Sequence, residues 1–207
     1  GKAIKCNPAA RVIVCGCASE KSPLAFLEKG GAVYAVTGAQ RKNKVLEIVR
    51  SGFAESYRGA QAETEKTYEE MPLPECLKTR NFVKIQDGCN RFCSYCIIPK
   101  ARGHVRSKPL KDIERELESL LGHGYNEVVL AGINLPFYGR DLGLSLINAV
   151  ELSCEIMPRV RLSSLEPELL SRDDVERLSK LPNFCPQFHL SLQSGCDRTL
   201  NRMRRRY

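Results

Sequence analysis

The stretch Phe82-Val83-Lys84-Ile85-Gln86-Asp87-Gly88-Cys89-Asn90-Arg91-Phe92-Cys93-Ser94-Tyr95-Cys96 runs a short apolar strand straight into a group of cysteines. Residues 82–85 read as the strand. Outward from it the chain alternates strand and helix. Downstream, Leu110, Ile113, Leu117, Leu120 and Leu121 have the spacing of a helix over 110–121. An apolar run predicts a strand over 127–131, ended by Gly132. A helix over 144–152, a strand over 160–162 and a helix over 173–181 follow, the last capped by Ser171 or Asp173. A strand over 188–192 and a helix from Asp197 complete the series. Upstream, strands are predicted over 12–14 and 32–36, with helices over 23–29 and 44–50 that end at Gly30-Gly31 and Gly52. This rhythm belongs to α/β folds with parallel sheets. Residues 54–78 change character: they are rich in Glu and carry Pro72 and Pro74, which reads as a linker. The expected division is 1–53, linker 54–78, and 79–207.

Hydrophobic residues make up 43% and charged residues 27% of the 207, the balance of a globular protein rather than a disordered one. No apolar run reaches membrane-spanning length, and the first residues lack a signal-peptide pattern, so no membrane and a cytoplasmic location are expected. The net charge of +8 favours a polyanionic partner without identifying one. Its densest part, Arg198, Arg202, Arg204, Arg205 and Arg206, reads as a solvated helix face. Ten cysteines are many for a reducing compartment, where grouped cysteines point to metal or redox chemistry. Cys15 and Cys17 form a second pair, while Cys6, Cys76, Cys154, Cys185 and Cys196 stand alone and read as small buried apolar side chains.

Cys89, Cys93 and Cys96 place three thiolates within eight residues at a strand end. Iron–sulfur clusters usually take four cysteines. Three leave one iron of a four-iron cubane open to chelate a substrate, which suggests catalysis rather than electron carriage. The competing reading is structural zinc, with Cys76 or His104 as fourth ligand. Zinc prefers paired knuckles, and no second knuckle is present.

C-x3-C-x2-C with an aromatic, Tyr95, before the last cysteine resembles the radical S-adenosylmethionine enzymes. The longer wording from Val83 to Pro99, Ala101-Arg102-Gly103 and Val105-Arg106-Ser107 resembles their tRNA methylthiotransferases, nearest the branch that acts on N6-threonylcarbamoyladenosine beside the anticodon. Ala131-Gly132-Ile133-Asn134-Leu135, Tyr138-Gly139-Arg140-Asp141-Leu142-Gly143, Arg161-Leu162-Ser163-Ser164-Leu165-Glu166-Pro167 and His189-Leu190-Ser191-Leu192-Gln193-Ser194-Gly195-Cys196 agree. The resemblance implies an α/β fold: the end of an N-terminal α/β domain, then the first portion of a partial (β/α) barrel. It implies a [4Fe–4S] cluster on Cys89, Cys93 and Cys96, and S-adenosylmethionine cleaved to a 5′-deoxyadenosyl radical. That radical takes a hydrogen from the adenine ring of the tRNA, where a methylthio group is installed. Tyr95 would back the cofactor's adenine. Gly132 and Asn134 would receive its methionine and ribose parts, with Ser164, Glu166 and Gln193 at later strand ends facing the same site. Arg106, and with less reason Arg102, would meet its carboxylate. The implied partners are tRNA and an electron donor such as a flavodoxin or ferredoxin.

The family carries an auxiliary cluster on three cysteines of its N-terminal domain. Cys17, in Val14-Cys15-Gly16-Cys17-Ala18, matches the third, and neither Cys6 nor Cys15 matches the others. On this resemblance the sequence is expected to begin inside that domain and to stop before the last barrel strands and a small RNA-binding β domain. It would then be catalytically incomplete, with an exposed sheet edge. Two other functions fit the cysteine loop: methylthiolation of a ribosomal-protein aspartate, and a zinc-stabilised nucleic-acid-binding module.

Overall fold

The computed structural model describes residues 5–28, 31–60, 67–70, 79–167 and 170–207. The chain forms two compact units, residues 1–71 with 97–103, and residues 72–96 with 104–207.

In the first unit, β1 (Val12–Cys15), β2 (Val33–Gly38) and β3 (Gly59–Ala60) form a parallel sheet in that order. Helices α1 (Cys17–Lys21), α2 (Pro23–Leu27) and α3 (Asn43–Arg50) join them. Tyr34, Ala35 and Ile48 are its buried centre, with Phe53 edge-on to Tyr34 at 5.2 Å. The linker expected from residue 54 is corrected at its start. Glu55–Tyr57 is a 3-10 turn, and Gly59–Ala60 pairs with β2. The short α4 (Ile98–Arg102) groups with this unit rather than with 79–207.

The second unit holds a four-stranded sheet in the order β5 (Arg106–Ser107), β4 (Asn81–Asp87), β6 (Glu127–Gly132), β7 (Arg159–Leu162). β4, β6 and β7 are parallel, and β5 is an antiparallel edge. β8 (Ser164–Leu165) and β9 (His189–Leu190) make a separate parallel pair. Crossovers carry α5 (Leu110–Gly122), α6 (Leu146–Ile156) and α7 (Arg172–Ser179), and α8 (Asp197–Arg202) follows β9. Parallel strands need such helices because a tight turn cannot reverse the chain twice.

Val83 and Ile85 of β4 pack with Ile113, Leu117 and Leu120 of α5, and with Val128 and Leu130 of β6. Burying one such side chain contributes about 1.5–3 kcal/mol, so this run of contacts sets the β4–α5–β6 unit. α6 starts two residues later than its apolar pattern suggests, because Ser145 caps it in a reciprocal box with Asn148. Ser171, not Asp173, caps α7, accepting from Asp174 N at 3.0 Å. The strand expected over 188–192 shrinks to His189–Leu190.

Of the isolated cysteines, Cys154 and Cys185 are buried as expected, but Cys6 and Cys196 are exposed, and Cys76 lies outside the described residues. Burial, with Glu151 adding to it, pushes the Cys154 thiol up to about 11. In the unfolded chain it ionises near ~8.5. A folded value above the unfolded one stabilises below the unfolded value and loses that contribution as pH rises toward the folded one. Denaturant midpoints are therefore expected to fall between pH 9 and 11, and less steeply in Cys154→Ala.

Candidate functional site

β4 ends at Asp87, and Gly88 turns the chain out of the sheet with φ +73° into the cysteine loop. A positive φ suits glycine, so the strand end and the turn are encoded together. Cys89 and Cys93 are each 7% exposed, Cys96 is half-buried, and all three are free thiols. Burial pushes the Cys93 thiol above its ordinary value, Arg205 pulls it down, and Glu166, Cys89 and Cys96 push it up.

Among the described residues no three His, Cys, Asp or Glu side chains gather into a single-ion site. One zinc ion with thiolates at ~2.3 Å crowds its sulfurs within about 4 Å of each other. A cubane gives each thiolate its own iron and lets them stand further apart. Of the proposed fourth zinc ligands, Cys76 is outside the described residues, and His104 Nδ1 lies 3.1 Å from Asn90 Oδ1.

The loop is held at its start. Gln86 is fully buried, and its amide nitrogen donates to the carbonyls of Asp87 and Gly88 at 2.8 Å each. Its Oε1 accepts from Asn134 N at 2.8 Å. One side chain thus ties the start of the cysteine loop to the loop after β6. Sequence reading missed Gln86, because a polar residue in a strand reads as solvent-facing. A Cβ on Gly132 would lie 2.9 Å from Gln86 Oε1 and 3.0 Å from its Cβ, so Gly132 makes room for this side chain. Gln86→Leu removes the side-chain partner of two carbonyls and one N–H, and each such hydrogen bond contributes about 0.5–1.5 kcal/mol net. A loss of ~2–4 kcal/mol in chemical denaturation is the expected result.

Asn134 is 3% exposed, and its Nδ2 lies 3.7 Å from Cys89 Sγ. Its Oδ1 is buried and has no hydrogen-bond partner among the described residues, and the same holds for Ser163 Oγ at the end of β7. Orphaned buried acceptors of this kind need an external partner. With Cys89 beside Asn134 and three free thiols on the loop, the donor set fits an iron–sulfur cluster and a polar cofactor.

Arg106 is buried, and its guanidinium is engaged. Nη1 donates to the His104 carbonyl at 3.2 Å, and Nη2 stands 3.8 Å from Asp87 Oδ2. Asp87 also pairs with Lys84 and accepts from Gly88 N at 2.8 Å. Through these contacts Arg106 braces β4 against β5. Ser164 Oγ lies 3.1 Å from His189 Nδ1, and Gln193 is exposed with φ +64°. Tyr95 is 53% exposed. Glu166 is 12% exposed at its side chain and takes Arg91 Nε at 2.7 Å and Arg205 Nη1. The expectation of a uniformly solvated arginine cluster fails at Arg205, whose side chain is 7% exposed. Cys17 opens α1 half-buried, while Cys15 is exposed at the end of β1.

A parallel α/β sheet whose first strand runs into three cysteines, with acceptors at the next strand ends, is the arrangement of an α/β enzyme that holds a metal cluster at its strand ends. The chain belongs to the Radical SAM superfamily, whose family model matches residues 83–207. It is 33% identical over 219 residues to threonylcarbamoyladenosine tRNA methylthiotransferase MtaB of Bacillus subtilis, covering 100% of this chain and 47% of that protein. With MtaB of Thermotoga maritima it shares 35% over 205 residues, 97% of this chain and 46% of that one. With tRNA-2-methylthio-N(6)-dimethylallyladenosine synthase of Clostridium tetani it shares 32% over 209 residues, 97% and 46%. The chain thus spans about half the length of the curated relatives it matches. Among solved structures it is similar to the radical S-adenosylmethionine methyltransferase TsrM of Kitasatospora setae with tryptophan substrate and an S-adenosylmethionine analogue bound. The TM-score is 0.61 at 15% identity, over 92% of this chain and 43% of that one, a likeness of fold.

Proposed function

We propose that the chain is the cluster-binding part of a tRNA methylthiotransferase that uses S-adenosylmethionine. Its substrate on this reading is N6-threonylcarbamoyladenosine beside the anticodon. The observation that carries it is the group of three free thiols at the end of β4, beside the buried, unpartnered Asn134 Oδ1. Cys89, Cys93 and Cys96 hold a [4Fe–4S] cluster on this reading, and Asn134 with Ser163 offers acceptors to the cofactor. When bound, the cluster and S-adenosylmethionine supply a one-electron cleavage that yields a hydrogen-abstracting radical. The chain's own part is to exclude water around Cys89 and Cys93, to orient the loop through Gln86 and Glu166, and to present Tyr95 beside it. Similarity to both the threonylcarbamoyladenosine and dimethylallyladenosine enzymes supports a tRNA substrate over a ribosomal protein. The wording from Val83 to Ser107, nearest that of the threonylcarbamoyladenosine branch, supports this substrate. The +8 charge suits tRNA, an electron donor of the flavodoxin or ferredoxin kind supplies reduction, and the location is cytoplasmic. Among the described residues no helix is long and apolar enough to cross a membrane.

The test is anaerobic reconstitution with iron and sulfide, followed by S-adenosylmethionine and dithionite. A brown protein that releases 5′-deoxyadenosine supports the reading. A colourless protein that purifies with stoichiometric zinc overturns it in favour of the zinc module.

A further inference from the structure

Arg205 has no role in the reading above. Its neighbours Arg204 and Arg206 are exposed, but its own side chain is 7% exposed. Nη1 pairs with Glu166 Oε1, and Nη2 donates to Tyr95 Oη at 2.8 Å. The guanidinium carbon lies 6.0 Å from the Tyr95 ring centre and 5.9 Å from that of Tyr207. Nε is buried and has no partner among the described residues. Burial works against the charge of Arg205, but Tyr95 and Glu166 outweigh it and hold its guanidinium above the ordinary value.

These contacts converge on the cysteine loop. Arg91, between Cys89 and Cys93, donates Nε to the other oxygen of Glu166 at 2.7 Å. Ser94 donates its N–H to the Met203 carbonyl at 3.2 Å and its hydroxyl to the Arg202 carbonyl at 2.9 Å. Tyr95 stands between Cys93 and Cys96. The loop is therefore fastened to the end of α8 by charge and by backbone.

Two guanidiniums on one carboxylate leave a net positive charge, and Arg205 and Glu166 stand close enough to Cys93 to act on its thiol. A buried ion triad is a poor source of stability, since apolar residues of similar volume often serve as well or better. Charge and N–H donors close to thiolates do change the redox potential of what the thiolates hold.

We propose that Arg205 is a positioning residue that raises the reduction potential of the cluster through its buried charge and spare N–H, and that Glu166 opposes it. The proposal rests on the reading that Cys89, Cys93 and Cys96 carry the cluster. Positive charge beside the couple favours the state that has gained an electron, and negative charge disfavours it. The substrate plays no part.

The experiment uses the full chain reconstituted with iron and sulfide, without S-adenosylmethionine. The midpoint of one-electron reduction by dithionite is followed by electron paramagnetic resonance. R205Q is expected to shift the midpoint to lower potential and E166Q to higher potential, with R205K close to the parent. Shifts of opposite sign are something a merely structural role would not produce. Unmoved midpoints in both R205Q and E166Q, or shifts of one sign in both, overturn the proposal and leave the cluster reading standing. If R205Q retains no iron, E166Q decides: an upward shift supports the proposal, and an unmoved or lower midpoint overturns it. If the unsubstituted chain forms no cluster, the ligand reading falls and takes the proposal with it.

Discussion

Cys93→Ala is expected to lose the visible absorption of the reconstituted protein and all release of 5′-deoxyadenosine, while keeping its fold. The argument compares two magnitudes. Cys93 is a small side chain, 7% exposed, and its replacement by Ala removes only a sulfur, about 1 kcal/mol by the scale of small core truncations. Ligand loss is far larger in effect. Three thiolates are the fewest that fix a cubane with one open iron, and Cys93 is the central one in sequence, within the field of Arg205 and Glu166. Cys185→Ala is the matched control. Cys185 is also 7% exposed, but it lies after α7, with Arg159 Nη2 at 3.3 Å from its sulfur. It should retain iron in full. Iron and sulfide analysis with circular dichroism on both variants checks the result. Equal iron loss in Cys185→Ala would break the ligand assignment.

That assignment comes from the sequence, where three cysteines on one loop leave few readings. The sheet was legible where one physical pattern dominates. Leu110, Ile113, Leu117 and Leu120 repeat at helical spacing, and α5 covers Leu110–Gly122. β6 is an unbroken apolar run because Val128, Val129 and Leu130 are all buried between layers.

What stayed hidden depends on partners distant in the chain. β5 is two residues, Arg106–Ser107, with no strand propensity. It exists because Asp87 and Gln86 pair with it, and because Asp141 accepts from Ser107 N at 2.8 Å. α4 contains Pro99 in its first turn and has no apolar stripe to announce it. Arg205 looked like one more solvated charge until Glu166, 39 residues away, supplied its partner. Local pattern cannot foresee a buried charge whose counter-charge arrives from another strand end. The same holds for Gln86, whose partner Asn134 lies 48 residues on.

Gly139→Ala is the substitution outside the cysteine loop with the largest expected effect, and the reason is backbone meeting backbone. Gly139 sits at φ +83° in the turn between the 3-10 segment Leu135–Phe137 and α6. A Cβ there would lie 2.5 Å from the Leu144 carbonyl carbon, 2.7 Å from its oxygen and 2.8 Å from Ser145 N. None of these is the tip of a flexible side chain, so the turn itself must open. Gly139 N also donates to Ser107 Oγ at 2.8 Å, and Ser107 Oγ donates to Asp141 at 2.5 Å. Opening the turn therefore pulls on the edge strand beside the cysteine loop. The left-handed conformation costs about 1–2 kcal/mol for a residue with a Cβ, and forced overpacking adds ~1–3 kcal/mol. Gly143→Ala separates the two contributions. Gly143 has φ +69° with no atom within 4 Å of the added Cβ, so only the conformational cost applies. Urea denaturation should place Gly139→Ala well below Gly143→Ala. Equal losses would mean that the turn relaxes freely and that its contact with Leu144 does not hold the loop.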